Sequence, residues 1–197
     1  VPANIAMKSA PFFALAIAVV MINMVASSIQ HLPGHLENVG ISAASASAII
    51  SVVMLVVIVA KVLLGMVNDR FGSVAAATSA FIMLSLGVLL FSLASNYKLA
   101  LIAAVIYGLG MAAVTVIPPL VSGQMFGPRD YSAIYAIIGA MGSLGLALGT
   151  PLIGLVFDKT GSYNLALYLC VAVVIVVTAL IVYAVKASKK LWPEASN

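Results

Sequence analysis

The stretch Gly65-Met66-Val67-Asn68-Asp69-Arg70-Phe71-Gly72-Ser73 recurs as Gly154-Leu155-Val156-Phe157-Asp158-Lys159-Thr160-Gly161-Ser162. Gly65, Asp69 and Gly72 find their counterparts, Gly154, Asp158 and Gly161, at one constant offset of 89 residues. Each copy occupies a short polar gap between two long apolar runs, and three such runs separate the copies. An odd number of membrane crossings reverses sidedness, so the copies are expected on opposite faces of a bilayer. An inverted repeat of this kind is a device from which many secondary transporters are built.

Composition points to the same solvent. The chain is 64% hydrophobic and 7% charged, with a mean hydropathy of +1.24. Soluble domains carry about 25% charged residues, so a water-soluble globule of this makeup would expose large apolar patches. The net charge of +4 is spread over scattered Lys and Arg residues, with no basic run of the kind that binds nucleic acid. The single cysteine, Cys170, lies in an apolar run, excludes an internal disulfide and has no neighbouring metal ligand. The first apolar stretch lacks the layout of a signal peptide. The chain does not open with Met, and it is read here as a piece of a longer polypeptide.

Six runs reach the roughly 20 apolar residues that a span needs: 11–30, 43–66, 74–95, 99–122, 131–157 and 165–185. The fold class expected is an all-α membrane protein, one six-helix bundle over 1–197. It divides into two inverted three-helix repeats, about 11–95 and 99–185. With both termini on one side, that side collects Lys8, Arg70, Arg129, Lys186, Lys189 and Lys190, against Lys98 and Lys159 on the other. The positive-inside rule therefore places both termini in the cytoplasm. The implied location is the cell membrane (plasma or inner), crossed many times. Trp192 and the terminal lysines form an expected interfacial anchor.

Functional side chains in such a bundle must face its interior. Lys61 is the one charge deep within a run, and Ser47, Ser51, Met54, Ile58, Lys61 and Gly65 fall within about 40° of one line on a helix. This is the expected inward face. Ile49, Val52, Val53, Val56, Val59 and Leu63 form the opposite one, suited to lipid or helix packing. An ammonium at that depth costs about 2.5–3.5 kcal/mol on insertion scales. It is retained to attract an anion in a wet cavity, to pair with a carboxylate as a proton-linked switch, or it snorkels to the interface. Asn23, Ser27, Gln30 and His31 form a second polar stripe, ending where Pro33 is expected to stop the first span. His31 is a candidate proton carrier, the alternative being an interfacial hydrogen-bonding residue. Tyr107, Tyr135 and Thr115 are further candidates for the cavity. Pro118-Pro119 breaks the hydrogen-bond ladder of the fourth span. Gly139, Gly142, Gly145, Gly149 and Gly154 let neighbours approach the fifth.

The repeated loop has its own logic. Gly65 is expected to admit a neighbouring helix, and Gly72 to permit the tight turn. Asp69 is expected beside the N-terminus of the third span, where the helix dipole favours it, and within reach of Arg70. Such a charge pair can latch one conformation and release in another. A solvated turn is the simpler alternative. Asp158, Lys159 and Gly161 form the second copy.

At these residues the chain resembles the major facilitator superfamily. Gly65, Asp69, Arg70 and Gly72 match the loop motif between the second and third helices of each half, with Ser73-Val74 where a basic residue usually trails. The order of features resembles a C-terminal half, helices seven to twelve, over essentially the whole chain. The stretch 151–163, His31-Leu32-Pro33 and Phe126-Gly127-Pro128-Arg129-Asp130-Tyr131 are similar to the oxalate/formate antiporter and monocarboxylate transporter branch. The resemblance implies that a cation four positions before the loop glycine contacts a substrate carboxylate, and Lys61 occupies that position. Val57 stands where some relatives carry an Asp, and residues 131–157 lack the second cation of dicarboxylate carriers. A monocarboxylate therefore fits better. The expectation is a secondary carrier of a small organic anion working by alternating access, with no enzyme activity and no cofactor or metal. Its partners would be the anion, the bilayer, an N-terminal six-helix half and optionally a coupling proton. The alternatives are an exporter of drugs or neutral metabolites, and a non-transporting six-helix sensor or assembly protein.

Overall fold

The computed structural model describes residues 1–191, so Trp192 lies outside the described residues. Among the described residues, six helices are long and apolar enough to cross a membrane. After a short α1 (Ala3–Ala6), the first span is α2 (Ala10–Ala26), closed by a 3-10 turn at Ser27–Gln30. The Ser9 hydroxyl caps α2 by accepting from the Phe12 amide, and Pro11 sits in its first turn, where a missing N–H costs nothing. The first span ends at Gln30, ahead of Pro33 as expected. Pro33 then sits in the first turn of a separate short helix, α3 (Leu32–Asn38), where a proline is as acceptable as it is in α2.

The second span, α4 (Ala43–Phe71), continues five residues beyond the expected end at Met66. At 1.5 Å per residue it is about 43 Å long and overshoots a hydrocarbon core of about 30 Å. Asn68, Asp69 and Arg70 are therefore helical, and the turn into the third span, α5 (Ser73–Ser92), is made at Gly72 alone. The second copy behaves the same way. Its residues finish α8 (Tyr131–Thr160), and Gly161 turns the chain towards α9 (Asn164–Ser188). Gly72 and Gly161 have φ of +83° and +68°. Their amides donate to the carbonyls of Asn68 and Phe157, four residues back in each case. An L side chain would be strained in either turn.

The fourth span is two helices, α6 (Tyr97–Met111) and α7 (Ala113–Phe126), interrupted at Ala112. Pro118 and Pro119 leave the Val114 and Thr115 carbonyls without their usual donors, and the ring of each crowds the turn before it. The break accordingly falls just upstream of the prolines.

Packing follows a symmetric scheme. The first span, α2, lies against α8 and α9; the fourth, through α6, lies against α4 and α5; α5 and α9 pack on each other. Exchanging the first three spans for the last three maps this set of pairs onto itself. Gly87, Gly108 and Gly110 bring α6 against α5 and α4, and Gly142, Gly145 and Gly149 bring α8 against α2, so close that an added Cβ would meet neighbouring atoms. Such approach is how apolar helices associate where lipid removes the hydrophobic drive. Gly139 and Gly65 have open space instead. Gly65 thus has no neighbour from this bundle. The buried heart contains Leu15, Ile22, Phe81, Leu84, Phe91 and Ile117.

Two sets of contacts define the ends of the bundle. At one end Ala3 donates its amide to Asp130 (2.8 Å), and the Ser73 hydroxyl bonds Gln124. The N-terminal residues, the Gly72 turn and the α7–α8 link thus share that end. At the other, His31 meets Thr150, His35 meets Phe91, and Tyr163 packs on both imidazoles. The Gly161 turn lies there. The two copies of the repeated stretch consequently sit at opposite ends.

Candidate functional site: a polar cleft and an exposed lysine

The face of α4 that carries Ser47, Ser51, Met54, Ile58 and Lys61 is exposed on this bundle. Its packing side is Ala46, Ile49, Val53, Ala60 and Leu64. Val59 and Leu63, on the face suited to lipid or helix packing, are exposed at 58% and 46%. The α6 helix approaches the packing side through Gly108, which lies against Val53 and Val56. The Ser51 hydroxyl donates to the Ser47 carbonyl at 3.0 Å, so the stripe's hydroxyl is held along the helix. From Lys61, the first polar side chain towards the Gly72 end, Asn68, is about 10 Å along the axis, and the helix end at Phe71 about 15 Å. That is farther from the helix end than a span finishing at Met66 implies.

A second polar region is a cleft of about 200 Å³ between α2, α7 and α8. Asn23, Thr115, Tyr135 and Ser143 line it, together with Pro118 and Gly139. Asn23 donates its amide N–H to the Val19 carbonyl at 2.8 Å. Tyr135 stacks on Tyr131 with ring centroids 5.6 Å apart and planes 7° from parallel. Ser143 was missed in the sequence. It stands eight residues after Tyr135 and one after the packing glycine Gly142, a spacing that puts it on the Tyr135 side of α8. Lys61 does not line this cleft.

Other residues of the expected stripe are used for packing. Ser27 is fully buried, its hydroxyl donating to the Met24 carbonyl at 2.6 Å, where Gly149 presses against it. Tyr107 is likewise enclosed and faces no cavity; its hydroxyl lies 3.1 Å from Ser28 Oγ. Burying two hydroxyls is tolerable because each satisfies the other. Tyr107→Phe therefore leaves Ser28 orphaned and is expected to cost about 1–3 kcal/mol of stability. Thermal unfolding of the variant measures this, and substrate KM is expected to stay unchanged. A raised KM with unchanged stability would return Tyr107 to the binding site.

At the end opposite the N-terminal residues, Gln30 is exposed, and His31 donates its Nε2–H to the Thr150 carbonyl at 3.0 Å. His35, four residues on and not singled out from sequence, is buried and donates to the Phe91 carbonyl at 2.8 Å. Tyr163 stacks on Phe157 at 4.2 Å and meets both imidazoles. Burial lowers the His35 pKa from its ordinary 6.5, outweighing the carbonyl bond, which raises it. The neutral ring is thus favoured in the fold. Stability is full above about pH 6.5 and falls below it, because the unfolded chain takes up the proton first. Melting temperature is expected to drop between about pH 7 and about pH 5, and His35→Gln is expected to flatten that dependence.

Asp69 and Arg70 are exposed in the last turn of α4. Asp69 accepts from the Asn68 amide at 3.4 Å, and the Arg70 guanidinium stands 5.3 Å over the Phe71 ring. The N-cap of α5 is Gly72, with no side-chain bond. Asp69 stands three residues before it, in the last turn of α4. Asp158 and Lys159 are exposed at the end of α8.

The sequence model of the Major Facilitator Superfamily matches residues 11–196. The chain belongs to the major facilitator superfamily. An "MFS-type transporter ppz2" of Metarhizium majus (strain ARSEF 297) is 28% identical over 119 residues, covering 58% of this chain and 20% of that protein. The chain thus spans about a fifth of the length of that curated relative. As a superfamily member it is a multi-pass membrane protein of a transporter family. Its exposed α4 stripe and its cleft both leave polar groups of the spans open.

Proposed function

We propose that this chain is one six-helix half of a secondary carrier that moves a small organic anion, first of all a monocarboxylate, by alternating access. The supporting observation is the position of Lys61. An ammonium in an apolar span is costly, and this one stands on the exposed, serine-bearing face of α4 rather than among the bundle's own helices. A complementary six-helix half against α4 and α8, the two least buried spans, would turn that face into the wall of a central cavity. The symmetric pairing of the spans and the repeated stretch at opposite ends suit two inverted units rocking about such a site. Lys61 would attract the carboxylate; Asn23 and Tyr135, with Thr115 and Ser143, would hydrogen-bond the rest of the substrate. His31 is the proposed carrier of any coupling proton, and Asp69-Arg70 and Asp158-Lys159 the proposed gating loops. Both termini are assigned to the cytoplasm, and the protein to the cell membrane.

A second reading, an exporter of neutral compounds, draws on the cleft, whose lining is uncharged. Proteoliposomes holding the full-length protein separate the two. Short monocarboxylates such as acetate and lactate are expected to compete with uptake, and their amides are not. Equal competition by the amides would favour the exporter, and flux that never exceeds that of empty vesicles would reject both readings.

A further inference from the structure

Between α5 and α9, the two spans that pack on each other across the symmetric scheme, runs a groove of about 700 Å³. Phe81, Leu86, Ile175 and Val182 wall it, and Tyr183 and Lys186 stand at one end. Thr178, which also lines it, turns its hydroxyl inward along the helix by donating to the Val174 carbonyl at 2.8 Å. Ser85 adds one hydroxyl to an otherwise mainly apolar wall, and the one charge on the lining is Lys186, in the last turn of α9. From Ile175 to Lys186 the α9 wall extends about 16 Å, the depth of one leaflet of a hydrocarbon core about 30 Å thick. Lys186 is exposed, and Lys189 and Lys190 follow it, also exposed, just beyond the helix.

We infer that this groove is a binding site for an anionic glycerophospholipid. One acyl chain lies between α5 and α9, and the phosphate meets the Lys186 ammonium with Tyr183 beside it at headgroup level. The length of the apolar wall matches a chain that reaches the bilayer middle, and the charge at its mouth matches the headgroup. A zwitterionic lipid such as phosphatidylcholine would fill the same wall, but its own ammonium already offsets its phosphate and weakens the attraction to Lys186. An apolar helix of another protein would fill the wall and leave the Lys186 ammonium without a counter-charge.

The test uses the full-length protein in phosphatidylcholine nanodiscs with tracer spin-labelled phosphatidylglycerol or phosphatidylcholine. The motionally restricted fraction of each label is read by electron paramagnetic resonance. The parent is expected to hold phosphatidylglycerol about fivefold over phosphatidylcholine, the preference that one surface cation supplies. Lys186→Gln is expected to abolish the preference, and Lys186→Arg to retain it. Ala179→Trp, which fills the groove, is expected to release both lipids. Absence of a preference in the parent overturns the assignment, as does a preference that survives Lys186→Gln, or lipid still restricted in the Ala179→Trp protein. Should Lys186→Gln alone fail to fold, the Ala179→Trp and Lys186→Arg proteins decide the question by the same readings.

Discussion

Lys61→Ala in the full-length carrier is expected to lower carboxylate uptake by about a hundredfold or more, with membrane insertion and helix content unchanged. Truncating one partner of a desolvated charge pair costs about 2–5 kcal/mol, and each 1.4 kcal/mol is tenfold. An anion held by an ammonium at membrane depth should pay the larger part of that range. Structure should suffer little, because the Lys61 side chain is exposed on α4, with Ala60 and Leu64 making the contacts to this bundle. Removing the charge also relieves an insertion cost of about 2.5–3.5 kcal/mol, so the variant should be at least as stable as the parent. Lys61→Arg keeps the charge with a planar, forked head. Intermediate uptake with a raised KM is expected of it. Uptake assays in proteoliposomes with thermal unfolding of the same samples separate binding from folding. Uptake within threefold of the parent (about 0.6 kcal/mol by the same conversion) would mean that Lys61 only snorkels.

The positions of Lys61 and Tyr107 illustrate what periodicity can and cannot tell. A run of about 20 apolar residues has essentially one fate in a bilayer, so the six spans were legible from composition alone. The α4 stripe of serines and Lys61 was expected to face inward, and on this bundle it is exposed. The end of α4 was not legible. Asn68, Asp69 and Arg70 look like a loop by polarity, yet helix backbone continues until Gly72, whose positive φ supplies the stop. Polarity marks where lipid ends; it does not mark where the helix ends.

Tertiary partners were the least visible layer. Ser27 and Tyr107 read as polar residues in want of a cavity, and each is satisfied by atoms far away in sequence or by its own backbone. Asn23 and Tyr135, by contrast, meet across a cleft in company with Ser143. Nothing in the helical pattern of α2 or α8 distinguishes these cases, because the difference lies in which face the neighbouring helix covers. The glycines carried more of that information than the polar residues did. Gly142, Gly145 and Gly149 mark the covered face of α8, so a polar side chain adjoining that face borders a seam, as Ser143 does.

That seam supports the second large effect. Gly145→Ala is expected to destabilise the fold strongly, while Gly139→Ala, six residues earlier on α8, is expected to preserve or slightly raise stability. At Gly145 a Cβ would collide with the Val20 carbonyl oxygen and sit 2.9 Å from the Asn23 Cβ. The first of these atoms is backbone, which cannot rotate away, so α2 and α8 must separate. Overpacking costs typically about 1–3 kcal/mol, occasionally more. Here the separation would also loosen the contacts at Gly142 and Gly149 on the same line. At Gly139 nothing lies within 4 Å of the added carbon, and alanine gains up to about 1 kcal/mol in helix propensity. Gly139 lines the cleft, however, so its methyl should intrude on the substrate and raise KM. The two variants thus exchange their signatures: lost stability for one, weakened binding on an intact fold for the other. Thermal unfolding and uptake kinetics on matched preparations read both. A Gly145→Ala protein as stable as the parent would mean that α2 and α8 are not held this close in the bilayer, and the cleft built on their seam would lose its geometry.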